Sequence, residues 1–130
     1  MSMPTYQAFA FLQDDSDFDI EVLRQRLVKR LSAMKVVQEG KNISLQVSDW
    51  EIYVHLADEP FVAQESLEIS EYFAECPLAA EIAECKRRIE ICSTTPDPEM
   101  EYFNDYVILC ETLEGFRGVL LFDPTLGELI

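Results

Sequence analysis

Glycine is scarce, with four residues in a chain of 130, and histidine occurs once, at His55. So few glycines leave no phosphate-cradling loop and no dinucleotide-binding fingerprint. The Gly-x-Ser-x-Gly nucleophile elbow is absent as well. Four cysteines are present (Cys76, Cys85, Cys92 and Cys110), but none is spaced from the next by the two to four residues that structural zinc sites favour. In a reducing compartment they read as small buried apolar residues. No apolar run approaches the roughly 20 residues of a membrane-spanning helix. Residues Met1 to Tyr6 lack the basic region and apolar stretch of a signal peptide, so a cytoplasmic location is expected.

Basic residues are also few. Lysine and arginine number 10 against 25 aspartates and glutamates, for a net charge of −15. The imbalance is uneven: residues 22–48 hold six bases and one acid, whereas residues 49–130 hold nineteen acids and four bases. A surface of this sign repels nucleic acid and anionic membrane and suits either solubility or a basic protein partner.

The length fits one domain, 1–130, and 48% hydrophobic residues are enough for a core without disulfide or metal. Tyr6–Leu12 reads as a strand buried on both faces. Ile20, Leu23, Leu27, Leu31 and Met34 recur at helical period, which predicts a first helix over 19–34 with Asp17 or Asp19 as its cap. Glu39-Gly40-Lys41-Asn42 reads as a turn. Residues 43–47 and 50–56 alternate strictly between apolar and polar, the mark of a hairpin with one solvated face. Pro60 opens a second helix with Val62, Ile69 and Phe73 inward and an acidic stripe of Glu68, Glu71 and Glu75 with Gln64. A short helix to about Glu84, a strand Arg87–Ser93, a third long helix opened by Asp97-Pro98-Glu99 and running to Leu113 with Phe103, Tyr106, Val107, Cys110 and Leu113 inward, and a strand Val119–Phe122 complete the pattern.

This order is β-α-β-β-α-β followed by α-β. It resembles the ferredoxin-like, split βαβ order with an added αβ unit, and implies an α+β fold with a mainly antiparallel sheet packed on helices.

The candidates for chemistry are thin. Asp15-Ser16-Asp17-Phe18-Asp19 starts like a calcium loop, but Ile20 stands where glycine is needed and Arg26 where a bidentate glutamate is needed. His55 shares a strand face with Glu51 and Tyr53, a grouping capable of acid–base work. Lys86-Arg87-Arg88 is a basic run expected to pair with Glu81, Glu84 and Glu90, or to hold an anion. Ile108 falls in the polar arc of the last helix and could mark an interface.

These observations favour a non-enzymatic protein-binding module, monomeric or homodimeric, with no cofactor and no metal. Its expected binding residues are Glu68, Glu71, Glu75 and Ile108, and its expected partner is a basic protein. In size and charge the chain is similar to small acidic bacterial antitoxin and immunity proteins, a likeness of composition with no motif behind it. A small-molecule-sensing regulatory domain is the alternative, and an enzyme using His55 a third reading.

Overall fold

A computed structural model describes residues 5–130, and within them the chain forms one seven-stranded sheet and four helices. The elements in chain order are β1 (Tyr6–Leu12), α1 (Ile20–Arg30), β2 (Lys35–Glu39), β3 (Asn42–Val47), β4 (Trp50–Ala57), α2 (Pro60–Tyr72), α3 (Ala79–Ala83), β5 (Arg87–Ser93), α4 (Phe103–Glu114), β6 (Val119–Asp123) and β7 (Glu128–Leu129). No helix among the described residues is long and apolar enough to cross a membrane.

Local chemistry accounts for most boundaries. The Asp19 carboxylate accepts from the Val22 N–H and starts α1. Lys29 and Arg30 occupy the last turn, where the helix dipole favours cations. Pro60 sits in the first turn of α2, where its missing N–H removes no helical bond. Two-residue turns join β2 to β3 and β3 to β4. Gly40, at φ 60°, supplies the first turn residue of one, and Ser48, at φ 54°, that of the other.

Two helix boundaries and two strands depart from the sequence reading. Helix α1 ends at Arg30 rather than Met34, because the chain must turn to enter β2, a strand that the sequence did not reveal. Helix α4 begins at Phe103 rather than near Asp97. The Asp97 carboxylate does accept backbone N–H bonds, from Glu101 and Tyr102, but it closes a turn in which Met100 takes a φ of 56°. A last short strand, β7, also forms beside β6.

The sheet runs β2-β3-β4-β5-β1-β6-β7, and each of its neighbouring pairs is antiparallel. The expected pairing of 43–47 with 50–56 forms, from Ile43 opposite Val54 to Val47 opposite Trp50. The ferredoxin-like order does not. In a split βαβ unit another strand lies between the two that the helix joins, yet β4 and β5, joined through α2 and α3, pair directly with each other. A split unit occurs elsewhere: β5 and β6, joined by α4, flank β1.

Alternation along the strands sends successive side chains to opposite faces. On the first face Ala8, Ala10, Leu12, Leu45, Ile52, Val54, Ile89 and Ile91 form one continuous core with Leu23, Leu27 and Leu31 of α1 and Leu109, Cys110 and Leu113 of α4. On the second face a smaller cluster gathers Phe11 and Phe122 with Ile82 and Cys85, and Phe9, Ile69 and Phe73 pack against it. Helices α2 and α3 thus cover the β5–β1–β6 side of that face. Its β2–β3–β4 side carries Ser44, Gln46, Tyr53 and His55, all at least partly exposed. Of the residues expected in the core, Ile69 and Val107 are only half-buried.

Candidate functional site

Helix α2 has one face on the sheet and one in water. Val62 and Ser66 are buried and Ile69 is half-buried, so the inward stripe follows the helical period. The helix is fastened by Arg88, which projects from β5 on the second face. Its side chain is 5% exposed and pairs with Glu65 of α2 at 2.5 Å and with Glu90 of its own strand at 2.7 Å. The guanidinium also lies over the Phe9 ring, 4.4 Å from its centroid. The basic run is therefore divided. Arg88 is a buried fastener, with Glu90 a partner as expected and Glu65 one that only the fold supplies. Lys86 points to solvent and Arg87 is half-buried.

The outward face of α2 carries Glu68, Glu71 and, just past its end, Glu75, all exposed as the sequence predicts. Gln64 donates to Glu68 at 3.2 Å, one turn away. From Asp58 to Cys85 the chain holds eight acids and no base; Asp58 and Glu65 pair with Lys41 and Arg88 from other segments, whereas Glu68, Glu71 and Glu75 form no ion pair among the described residues.

Apolar side chains interrupt the acids. Phe61 and Leu67 are exposed, and Tyr72 is 82% exposed at the last turn. Its neighbour Phe73 turns inward. The Phe73 ring meets Phe122 at a centroid distance of 5.5 Å, and Tyr72 stands edge-on to it at 4.7 Å. The β6–β7 turn comes up beside the same ring. Gly127, at φ 70°, lies against Phe73 so closely that a Cβ there would collide with it.

Between the end of α2 and this turn runs an open groove of about 590 Å³, lined by Tyr72, Phe73, Glu75, Pro77, Leu126 and Glu128, among others. Leu126 is 66% exposed on the far wall. The arrangement combines projecting apolar side chains with a carboxylate on each wall, Glu75 and Glu128, and continues the acidic stripe. An apolar group with a cationic neighbour would find both of its counterparts here.

The other predicted residues lie apart. Ile108 is half-buried and packs against the main core, so the arc that reads as polar in sequence is partly covered, and it is not brought near Glu68, Glu71 and Glu75. His55 sits on the uncovered half of the second face. Its Nδ1 lies 2.7 Å from Asn42 Oδ1, and Glu90 is its register partner on β5. Nearby, a hydrogen bond to Glu51 pushes the Tyr53 hydroxyl above its usual range, and that bond with one from Gln46 holds Glu51 below its own. The acidic loop before α1 is committed to structure: Asp19 caps the helix, and Asp17 accepts the Arg117 backbone N–H at 2.7 Å.

Among the described residues no group of three or more His, Cys, Asp and Glu is placed to hold a metal ion. The cysteines are unpaired, and burial pushes the Cys85 thiol up to about 12 and the Cys110 thiol to about 11, which makes both poor nucleophiles. No family model, no curated protein and no solved structure matches the chain.

Tyr72, Leu126 and Phe61 were not legible as site residues. The sequence offers one signal for Tyr72: it falls one turn from Glu68 on a helix whose inward residues are already assigned. Leu126 offers none, because only the antiparallel return of β7 carries it to the end of α2.

Proposed function

We propose that the protein is a non-enzymatic binding module. The outward face of α2 and the groove at its end receive a basic segment of a partner protein. One observation carries the reading: exposed Tyr72 and Leu126 both line a groove whose charged lining residues, Glu75 and Glu128, are both acids. Apolar anchors surrounded by a polar, solvent-accessible rim are the usual anatomy of a recognition surface, and here the charge of that rim is acidic. An apolar residue of the partner would enter the groove, and lysines or arginines beside it would pair with Glu68, Glu71 and Glu75. The carboxylates would steer the approach and the apolar anchors would hold the complex.

The likeness in size and charge to antitoxin and immunity proteins fits this mode of action, in which an acidic surface covers a basic partner. Four unpaired thiols are stable in a reducing compartment, and we place the protein in the cytoplasm. The test is capture from the native lysate on the immobilised chain, run in parallel with a Tyr72→Ser, Leu126→Ser variant. A basic protein retained by the natural chain and lost by the variant supports the reading. Equal retention by both overturns it.

A further inference from the structure

The two edges of the sheet are unequal. Strand β7 has two residues, too few to template another strand, whereas β2 has five. Which backbone groups of β2 are free follows from the hydrogen bonds. The Leu56 N–H donates to Lys41 O at 2.9 Å, so in the β3–β4 register the odd-numbered residues of β3 bond to β4. The even-numbered residues of β3 therefore bond to β2, and their partners there are Lys35, Val37 and Glu39. The N–H and C=O groups of Val36 and Gln38 are left pointing out from the edge.

The side chains along this edge are self-complementary. Lys35, Val37 and Glu39 share the uncovered face, and neither Lys35 nor Glu39 pairs with another charge among the described residues. An antiparallel copy of β2, centred on Val37, sets Lys35 opposite Glu39 of the second copy and Val37 opposite its own counterpart. That register uses all the free groups of Val36 and Gln38. Moving the centre to Gln38 would set Lys35 against Lys41 of the second copy, a like-charge pair.

Above the sheet, Arg26 of α1 lies over Phe116 and Arg30 bonds to Thr112, so that flank of the helix faces α4 and its C-terminal loop. Val28 lies two residues from each, about 200° around the helix, and so looks toward the β2 edge. It is 47% exposed and Val37 is 36% exposed, which places apolar surface on both sides of the free strand.

We propose that the chain forms a two-fold symmetric dimer by antiparallel pairing of β2 with β2 of a second copy, giving one continuous sheet. The interface is isologous, with two Lys35–Glu39 pairs, a central Val37 contact and an approach of the two Val28 side chains. Lysine on an exposed edge ordinarily discourages pairing; here Glu39 of the second copy neutralises it in one register only. The interface is separate from the α2 groove and leaves it free.

The test is sedimentation equilibrium of the full chain over a concentration series at physiological ionic strength, where the repulsion between two copies of charge −15 is screened beyond about 8 Å. The natural chain is expected to reach twice the monomer mass. Lys35→Glu and Glu39→Lys should each weaken the dimer at least tenfold, and the double reversal should restore it. The pair of reversals is diagnostic, since Glu39→Lys makes the chain less acidic and would strengthen association if only net charge mattered. Gln38→Pro removes an outward N–H and should give a folded monomer. A monomer at every concentration, or a dimer indifferent to both single reversals, overturns the proposal.

Discussion

The two faces of the sheet are built differently. The first is covered by α1 and α4, and its core runs without interruption from β3 to β6. The second is covered over half its width by α2 and α3, on a cluster of four buried residues tied down by one buried arginine. A helix that shares in a large apolar core is held by many contacts at once. A helix held by a few rings and one charge cluster opens more readily, and its outer surface is free to vary with function. On the reading proposed above, the first face carries the stability of the fold and the second carries recognition.

The largest effect that would sharpen this contrast is in the first core. Leu27 is fully buried between α1 and the sheet, and Leu27→Ala should cost about 2–5 kcal/mol in chemical denaturation. The exposed Leu67 on α2 should cost under about 0.5 kcal/mol when changed to alanine. Equal losses for the two would erase the distinction.

A second test lies where the β6–β7 turn meets α2. Gly127→Ala places a Cβ against the Phe73 ring at a positive φ, and about 1–3 kcal/mol of destabilisation is expected. Thermal melting of that variant at unchanged stability would mean that the groove wall gives way without cost.

The aromatic end of the first core offers a smaller, pH-dependent effect. Tyr6 stacks on Tyr106 at 4.9 Å and donates to Asp97 at 2.6 Å. Burial, then the Asp97 bond and charge, push the Tyr6 hydroxyl up to about 12 from its ordinary 10. The folded state thus holds this proton more tightly than the unfolded chain. The stabilisation is complete below pH 10 and is lost as the pH rises toward 12. Denaturation midpoints should fall across that window, and Tyr6→Phe should flatten the fall. A Tyr6→Phe profile parallel to that of the natural chain would remove Tyr6 from the account.

Sequence patterns anticipated the first face better than the second, for a physical reason. Burial on one side imposes a period, so the Leu23, Leu27, Leu31 stripe and the alternation of 43–56 are visible in the residues themselves. Strand β2 was hidden because Val36 and Val37 continue an apolar trend that a helix ending at Met34 explains equally well. The Asp97-Pro98-Glu99 start signal was real chemistry in a different place, since the aspartate caps a turn and not a helix. Ile108 reads as exposed because its neighbours are polar, but in the fold it packs against the first core. At the candidate site the acids were legible from spacing along one helix. The pairing of Arg88 with Glu65, and the placing of Tyr72 and Leu126 in one groove, depend on the meeting of distant segments that no local pattern encodes.

The smallest expected change in stability accompanies the most informative change in binding. Replacing Glu68, Glu71 and Glu75 by glutamine alters three exposed side chains of α2 and its C-terminal extension. Each such surface change should stay within about 0.5 kcal/mol. The direct measurement is the association rate of the captured partner with the natural chain and with this triple variant, over a series of salt concentrations. The account predicts an association rate that falls steeply with salt for the natural chain, a slower and flatter dependence for the variant, and dissociation rates that differ little. A partner that binds tightly, at an association rate indifferent to both salt and the triple substitution, would contradict it.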